Sequence, residues 1–391
     1  MIKKYAFLLF FLLIFKSLQG QVQLSVYSEI SIVTAGPGTE LYEAFGHSAI
    51  RVKDPMLQLD LIYNYGMFDF NQPNFYSNFV KGKLLYSLGR YPFDYFLASY
   101  QQDKRWVKQQ VLNLNQDEKQ AFFKFLEINA LPQNSNYLYD PYFDNCATKL
   151  GDITKTILNK KLVFNDEHLP KNQSFRQLMN QEIPWNSWGS FGINVALGSK
   201  LDQKATAEGT MYLPKYVYAI FKNSTIKIDS KSENLVKRED ILLNFEEITP
   251  KKSIFSPLLI FLLFSIFGIF ITFRDVQKNK RTKLLDFTIF FFSGIIGLLI
   301  VFLWFFTNHS TTPNNFNFLW AFAPNFLIAF LLLKQHPPKW ISKYALLLLL
   351  FLSLIPIFWL LKIQEFPIAV IPLLLLFAVR FWFLARKNRY N

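Results

Sequence analysis

Cysteine is almost absent from this chain. The only one is Cys146, so no intramolecular disulfide can form. Exported proteins commonly carry cysteines in pairs, and a lone thiol in such a chain is a candidate reactive group. Histidine is nearly as scarce, with four residues. One Cys and two well-placed His offer too few ligands for a zinc centre, so no metal and no cofactor is expected. Gly36 and Gly38 are not followed by Lys-Ser/Thr and therefore make no phosphate loop. Acidic residues are outnumbered, 28 Asp+Glu against 42 Lys+Arg, for a net charge of +14. Nucleic acid is the usual partner of such a charge. Here much of the excess lies in short loops between apolar runs, where topology accounts for it, and no nucleic-acid partner is expected. The rest suits an anionic lipid surface. The sequence has no internal repeat.

What it does have is a division into two unlike halves. Lys3 and Lys4 precede an apolar run over residues 5–15 and a short polar stretch ending at Gly20. This is the pattern of a secretory signal, and the run is too short to span a bilayer. After Pro250 come five apolar segments, near residues 254–273, 287–306, 318–333, 344–361 and 367–384. Arg274, Lys278, Lys280, Arg281 and Lys283 lie between the first two; residues 307–317 contain no Lys or Arg; Lys334, Lys339 and Lys343 follow the third. Only Lys362 separates the fourth from the fifth, and Arg386, Lys387 and Arg389 follow the last. This alternation obeys the positive-inside rule if residues 21–250 face outward. The expected division is a signal peptide over 1–20, an exported domain over 21–250 and a membrane domain over 251–391. Arg380, inside the fifth segment, is expected to snorkel to the cytoplasmic surface.

In the exported half, residues 23–34, 48–52 and 60–65 read as strands. Residues 94–108 and 116–128 have helical spacing, with Asn115 as an N-cap. A third helix should run from Cys146 through Leu158, capped by Asp144 or Asn145. Residues 185–218 read as loop. The polar stretch 222–249 reads as a tether or terminal subelement leading to the membrane.

Cys146 therefore opens a predicted helix, where free N–H groups and the helix dipole stabilise a thiolate. A nucleophilic thiol also needs a base. His336 falls on the cytoplasmic side and His168 in a polar loop, which leaves His47 at the start of a strand. A histidine on a strand facing a cysteine atop a helix is a papain-type arrangement. Taken alone, each residue has a plainer reading, Cys146 as a small core residue and His47 as a structural histidine. Asn64, on the next strand, is a candidate to orient the imidazole. In the outer loop, His309, Asn315 and Asn317 are candidates for substrate binding at the membrane surface, against the alternative of an ordinary interfacial loop between Trp304 and Trp320.

Several ordered motifs weigh between these readings: Gly36-Pro37-Gly38, then Phe45-Gly46-His47-Ser48-Ala49-Ile50-Arg51-Val52, Tyr63-Asn64-Tyr65-Gly66, and Asp144-Asn145-Cys146-Ala147-Thr148. Together they resemble the Lnb N-terminal periplasmic domain family, and the apolar half is similar to the Lnb transmembrane domain. The resemblance implies an α+β, permuted papain-like (NlpC/P60-like) exported thiol domain followed by an all-α five-helix transmembrane bundle. It also implies a lipoprotein N-acyltransferase of the kind found in Bacteroidota, with His47 and Cys146 as the catalytic pair. A phospholipid would be the acyl donor and a bacterial lipoprotein the acceptor. The residues themselves leave a membrane-anchored thiol hydrolase or peptidase open, since it would use the same pair, and also a non-catalytic envelope binding protein.

Overall fold

The three strand-like stretches of the sequence are the middle of a seven-stranded antiparallel sheet. The computed structural model describes residues 22–228, 231–247 and 253–387. The expected signal segment and the boundary near Pro250 lie outside the described residues. The sheet runs in the order β10-β5-β1-β2-β3-β4-β6. Its strands are β1 (Glu29–Ala35), β2 (His47–Asp54), β3 (Leu59–Met67), β4 (Leu85–Pro92), β5 (Val107–Leu112), β6 (Asn136–Leu138) and β10 (Val236–Leu243). β7 (Leu162–Val163), β8 (Thr225–Ile228) and β9 (Lys231–Asn234) make a small second sheet.

Strand β1 is buried from Ile30 to Ala35, because both faces of the sheet are covered. Ile30 and Ile32 point to one face with Ile50, Val52, Tyr63 and Tyr65. That face packs under α3 (Gln116–Asn129), α4 (Cys146–Leu158) and α8 (Pro214–Asn223). Val33, Ala35, Ala49 and Ile62 point to the other, under Phe93 and Phe96 of α2 (Phe93–Gln102). Period-two alternation thus feeds two cores, as a sheet covered on both sides requires. The remaining helices of this domain are α1 (Phe75–Val80), α5 (Phe175–Glu182), α6 (Trp188–Ala196) and α7 (Ala207–Thr210).

Three expectations are corrected. The helix expected over 94–108 stops at Gln102, and a left-handed Lys104 (φ 54°) turns the chain into β5. The stretch 185–218 is not loop: it holds α6, α7 and the start of α8, each opened by a local signal. Ser187 and Thr206 cap the first two, and Pro214 begins the third. Of the two readings of the polar stretch 222–249, the terminal subelement holds and the tether does not. The stretch supplies β8, β9 and β10, and β10 is polar because it is the edge of the large sheet. Its Arg238 pairs with Glu29 and Asp240.

The membrane half contains α9 (Pro257–Gln277), α10 (Lys283–Phe305), α11 (Asn325–Leu331), α12 (Ile341–Leu360) and α13 (Ile371–Lys387). Among the described residues, four helices are long and apolar enough to cross a membrane. The third apolar segment is built differently. A 3-10 turn, Phe316–Leu319, leads through Pro324 into the short α11. It nevertheless runs from one end of the bundle to the other. At one end Asn317 bonds the carbonyls of Asn194 and Val195 in the sheet domain, and at the other the carbonyls of Leu332 and Lys334 accept from Arg281. Irregular backbone at membrane depth must be enclosed by protein. Gly294 and Gly297 of α10 allow this, since a Cβ there would lie 2.1 Å from Phe326 N and 2.3 Å from Ala321 O. Asn325 is fully buried and bonds Ser293 and Tyr344.

Arg380 does not snorkel. It is fully buried, with its guanidinium 2.6 Å from Asp286 and 2.8 Å from Asp275. Arg281 also pairs with Asp286, at 2.8 Å. Two Arg and two Asp thus lock α9, α10 and α13 together near the Arg281 end of the bundle. Removing one partner of a buried pair leaves an uncompensated charge and costs about 3–5 kcal/mol. Arg380→Ala is therefore expected to lower the thermal unfolding midpoint of the detergent-solubilised protein sharply, and Arg380→Lys to lower it less. An unchanged melting curve for Arg380→Ala would contradict a stabilising network.

Candidate active site

Asn145 decides where α4 begins. Its side-chain oxygen accepts from the N–H groups of Ala147 (2.8 Å) and Thr148 (2.9 Å), while the Thr148 hydroxyl accepts from Asn145 N–H (2.8 Å). This is a capping box. The Asn145 amide also donates to the carbonyls of Pro141 and Tyr212, both at 2.8 Å, so the residue is anchored on four sides. Cys146 is consequently the first residue of the helix, 7% exposed.

His47 is the first residue of β2 and pairs with Ala35 of β1. Gly46 precedes it with φ +75°, and a Cβ there would come within 2.8 Å of the Ala35 carbonyl, so only glycine fits this entry to the strand. The imidazole and the Cys146 thiol are hydrogen-bonded to each other. His47 Nε2 lies 2.5 Å from Asn64 Oδ1, which leaves Nδ1 for the thiol. Asn64, 6% exposed on β3, is itself oriented: its amide donates to the Tyr91 hydroxyl at 2.9 Å and meets Met67 sulfur at 3.1 Å.

The electrostatics follow from these contacts. Burial pushes the Cys146 thiol up, but attraction to His47, their hydrogen bond, and the N–H groups of Ser48 and Ala147 outweigh it, and its pKa falls below the ordinary thiol range. Burial pushes His47 down, but the Cys146 charge, the same hydrogen bond and Asn64 outweigh it, and its pKa rises. Both shifts run in the direction that favours a thiolate–imidazolium pair. Arg105 stands nearby, donating to the Gly36 carbonyl through Nε (2.9 Å) and Nη2 (2.7 Å) and holding the loop after β1.

The structure brings His47, Asn64 and Cys146 together and gives the other three candidates different partners. Asn315 and Asn317 are 1% and 0% exposed. Their amides donate to the carbonyls of Asn194, Val195 and Ala196, closing the C-terminus of α6. They dock the two halves of the chain and have no amide N–H pointing to an open site, which corrects their reading as substrate ligands. His309 is half-buried and donates to the carbonyls of Phe79 and Val80 in α1, and burial lowers its pKa. Two features of the site were not foreseen. Tyr91 fixes Asn64 across a strand pair, a partnership that needs the sheet order to be known. Asp140, five residues before the Asn145 cap in the stretch leading to Cys146, accepts a hydrogen bond from Ser310 of the outer membrane loop.

Two family models match the chain. Residues 15–181 match the Lnb N-terminal periplasmic domain, and residues 249–389 match the Lnb transmembrane domain. The chain belongs to the Lnb family. It is a multi-pass membrane protein with an N-terminal periplasmic domain. No curated protein and no solved structure matches it. Residues 182–248, between the two matched regions of this Lnb protein, include α6, which Asn315 and Asn317 cap, and the edge strand β10.

The pH dependence of Cys146 alkylation by iodoacetamide should have its midpoint below that of an ordinary thiol. His47→Ala removes the attraction and the hydrogen bond but keeps the burial. Its midpoint should move up and its rate at pH 7 should fall. Superimposable profiles for the two proteins would contradict the charge pair.

Proposed function

We propose that this Lnb protein is a lipoprotein N-acyltransferase that moves an acyl chain from a phospholipid, through a Cys146 thioester, to the amino group of a diacylglyceryl-cysteine lipoprotein. The observation that carries this reading is the hydrogen-bonded row Cys146, His47 and Asn64, with the stretch before Cys146 tied to the membrane domain through Asp140 and Ser310. A thiol enzyme acting on soluble peptides has no need of this tether. Two lipid substrates do, because holding the thiol at their surface supplies proximity and orientation.

The chemistry proceeds in two halves. The Cys146 thiolate attacks the ester carbonyl of the phospholipid. The carbon–oxygen bond breaks, the His47 imidazolium gives its proton to the departing lysophospholipid oxygen, and a thioester remains. The neutral amine of the acceptor then attacks the thioester carbonyl. His47 takes the amine proton, the carbon–sulfur bond breaks, and the thiolate–imidazolium pair is restored. Asn64 keeps the imidazole in the tautomer and orientation that both proton transfers need. The backbone N–H of Cys146, at the helix start, is suited to stabilise the oxyanion of each tetrahedral intermediate.

In cells where this is the sole enzyme of its kind, mass spectrometry of lipoprotein N-terminal peptides tests the assignment. Cys146→Ala should abolish N-acylation, and His47→Ala should lower it by about 10²–10⁴-fold. Cys146→Ser should fall by orders of magnitude, since its hydroxyl is the poorer nucleophile beside the same base. Membrane insertion should be intact in all three. Full N-acylation by Cys146→Ala would end the thioester mechanism. Release of free fatty acid with no N-acylated product would identify water as the acceptor, and so a hydrolase.

A further inference from the structure

We propose that the aromatic segment 67–86 lies in the periplasmic face of the bilayer and conducts a phospholipid acyl chain to Cys146. The inference rests on the acyltransferase reading and adds the route by which the donor arrives.

The segment has the wrong surface for water. None of the six residues of α1 is buried. Tyr76 is 70% exposed, Phe70 52%, Phe79 49% and Val80 48%. A contiguous patch of this kind on a water-facing surface marks an interaction site.

Its position selects the occupant. The N–H of Asn308 donates to the Lys81 carbonyl at 2.8 Å, and His309 donates to the carbonyls of Phe79 and Val80. Asn308 comes three residues after α10, whose outer end is marked by Trp304, Phe305 and the adjoining Phe306. The last two are 65% and 70% exposed. Aromatic residues at the end of a span mark the membrane–water interface. The helix is therefore held at interface level by the span itself, and bilayer lipid is what surrounds it there. Lys81 and Lys83 are exposed just beyond the helix, within reach of lipid phosphates. An apolar helix with adjoining lysines is the composition of an interfacial anchor.

From there a continuous row of rings leads inward. Phe79 meets Phe75 (centroids 6.3 Å), Phe75 meets Phe68 (6.0 Å), Phe68 meets Tyr86 (5.0 Å) and Tyr86 stacks on Tyr139 (4.4 Å). The row ends beside Cys146: a Cβ on Gly66 would sit 3.5 Å from both the Tyr139 ring and Cys146 Cβ. An acyl chain following this row would keep apolar contact from the bilayer to the nucleophile. Its ester carbonyl would be delivered to Cys146 while the headgroup stays near the surface.

The full-length protein in vesicles of phosphatidylethanolamine and phosphatidylglycerol, with no lipoprotein present, tests this in two ways. A benzophenone amino acid replacing Tyr76 should, on illumination, give an adduct of intact phospholipid mass. No phospholipid adduct would overturn the inference, as would an adduct only between protein chains. Phe75→Ser combined with Phe79→Ser should slow acyl transfer onto Cys146 by about tenfold or more, through lost apolar contact. Alkylation by iodoacetamide, which needs no lipid, reports that the thiol is still intact in that variant. Equal acylation rates in the variant and the parent would overturn the inference. If the parent formed no acyl-Cys146 at all, the acyltransferase reading would fail, and the cross-link, read without acyl transfer, would still decide whether the segment lies in lipid.

Discussion

A hydrogen-bonded thiol and imidazole placed out of water set the terms for the rest of this structure. A thiolate and an imidazolium cannot be held in a buried site unless each is paired and hydrogen-bonded, because desolvation otherwise neutralises them. The fold meets that requirement from two directions. Helix α4 presents its N-terminus through the Asn145 capping box, so Ala147 N–H reaches the sulfur. Strand β2 presents His47 and the Ser48 N–H to the same atom. Asn64, held by Tyr91, accepts from the far side of the ring. The partners come from α4, β2, β3 and β4, and the central sheet fixes their relative positions.

The second constraint is attachment. The outer loop between α10 and α11 is joined to the sheet domain by a series of polar contacts. Ser310 bonds Asp140, Thr311 accepts from Gly198 N–H, and Asn315 and Asn317 close the end of α6. Gln177 and Asp202 reach Glu365 in the loop before α13. The Asp140 contact lies in the stretch that leads to Cys146, so that stretch is held by the membrane domain as well as by its own. At the opposite end of the bundle, Arg380 and Arg281 with Asp275 and Asp286 fix three of the spans. A buried network of this kind gives the bundle a rigid frame on which the periplasmic domain can be carried.

How much of this was legible beforehand depended on whether the signal was local. The start of α4, the strand entry at His47 and the alternating loop charges are written in neighbouring residues, and the sequence pattern reads them directly. The pairing of His47 with Asn64 was within reach, because adjacent antiparallel strands bring such residues together. The β5 strand was hidden, since its Gln109 and Gln110 resemble helix-surface residues until Arg51, Asp240 and Glu239 are seen to bond them. The same holds for Asn315 and Asn317. Amides in an outer loop look available to a ligand, and only the three-dimensional contact with α6 shows that they cap a helix. Arg380 was misread for a related reason, because its acidic partners lie 94 and 105 residues away in the chain.

The account stands on an acyl group passing through Cys146, and a chase experiment addresses that most directly. The purified protein in phosphatidylethanolamine vesicles, without acceptor, should accumulate a hydroxylamine-labile acyl adduct on the Cys146 peptide, seen by mass spectrometry. Adding a synthetic diacylglyceryl-cysteine peptide should discharge the adduct while the peptide amine gains the same acyl mass in equal amount. If the peptide were N-acylated while Cys146 carried no adduct at any time, transfer would bypass the thiol and the account would be wrong.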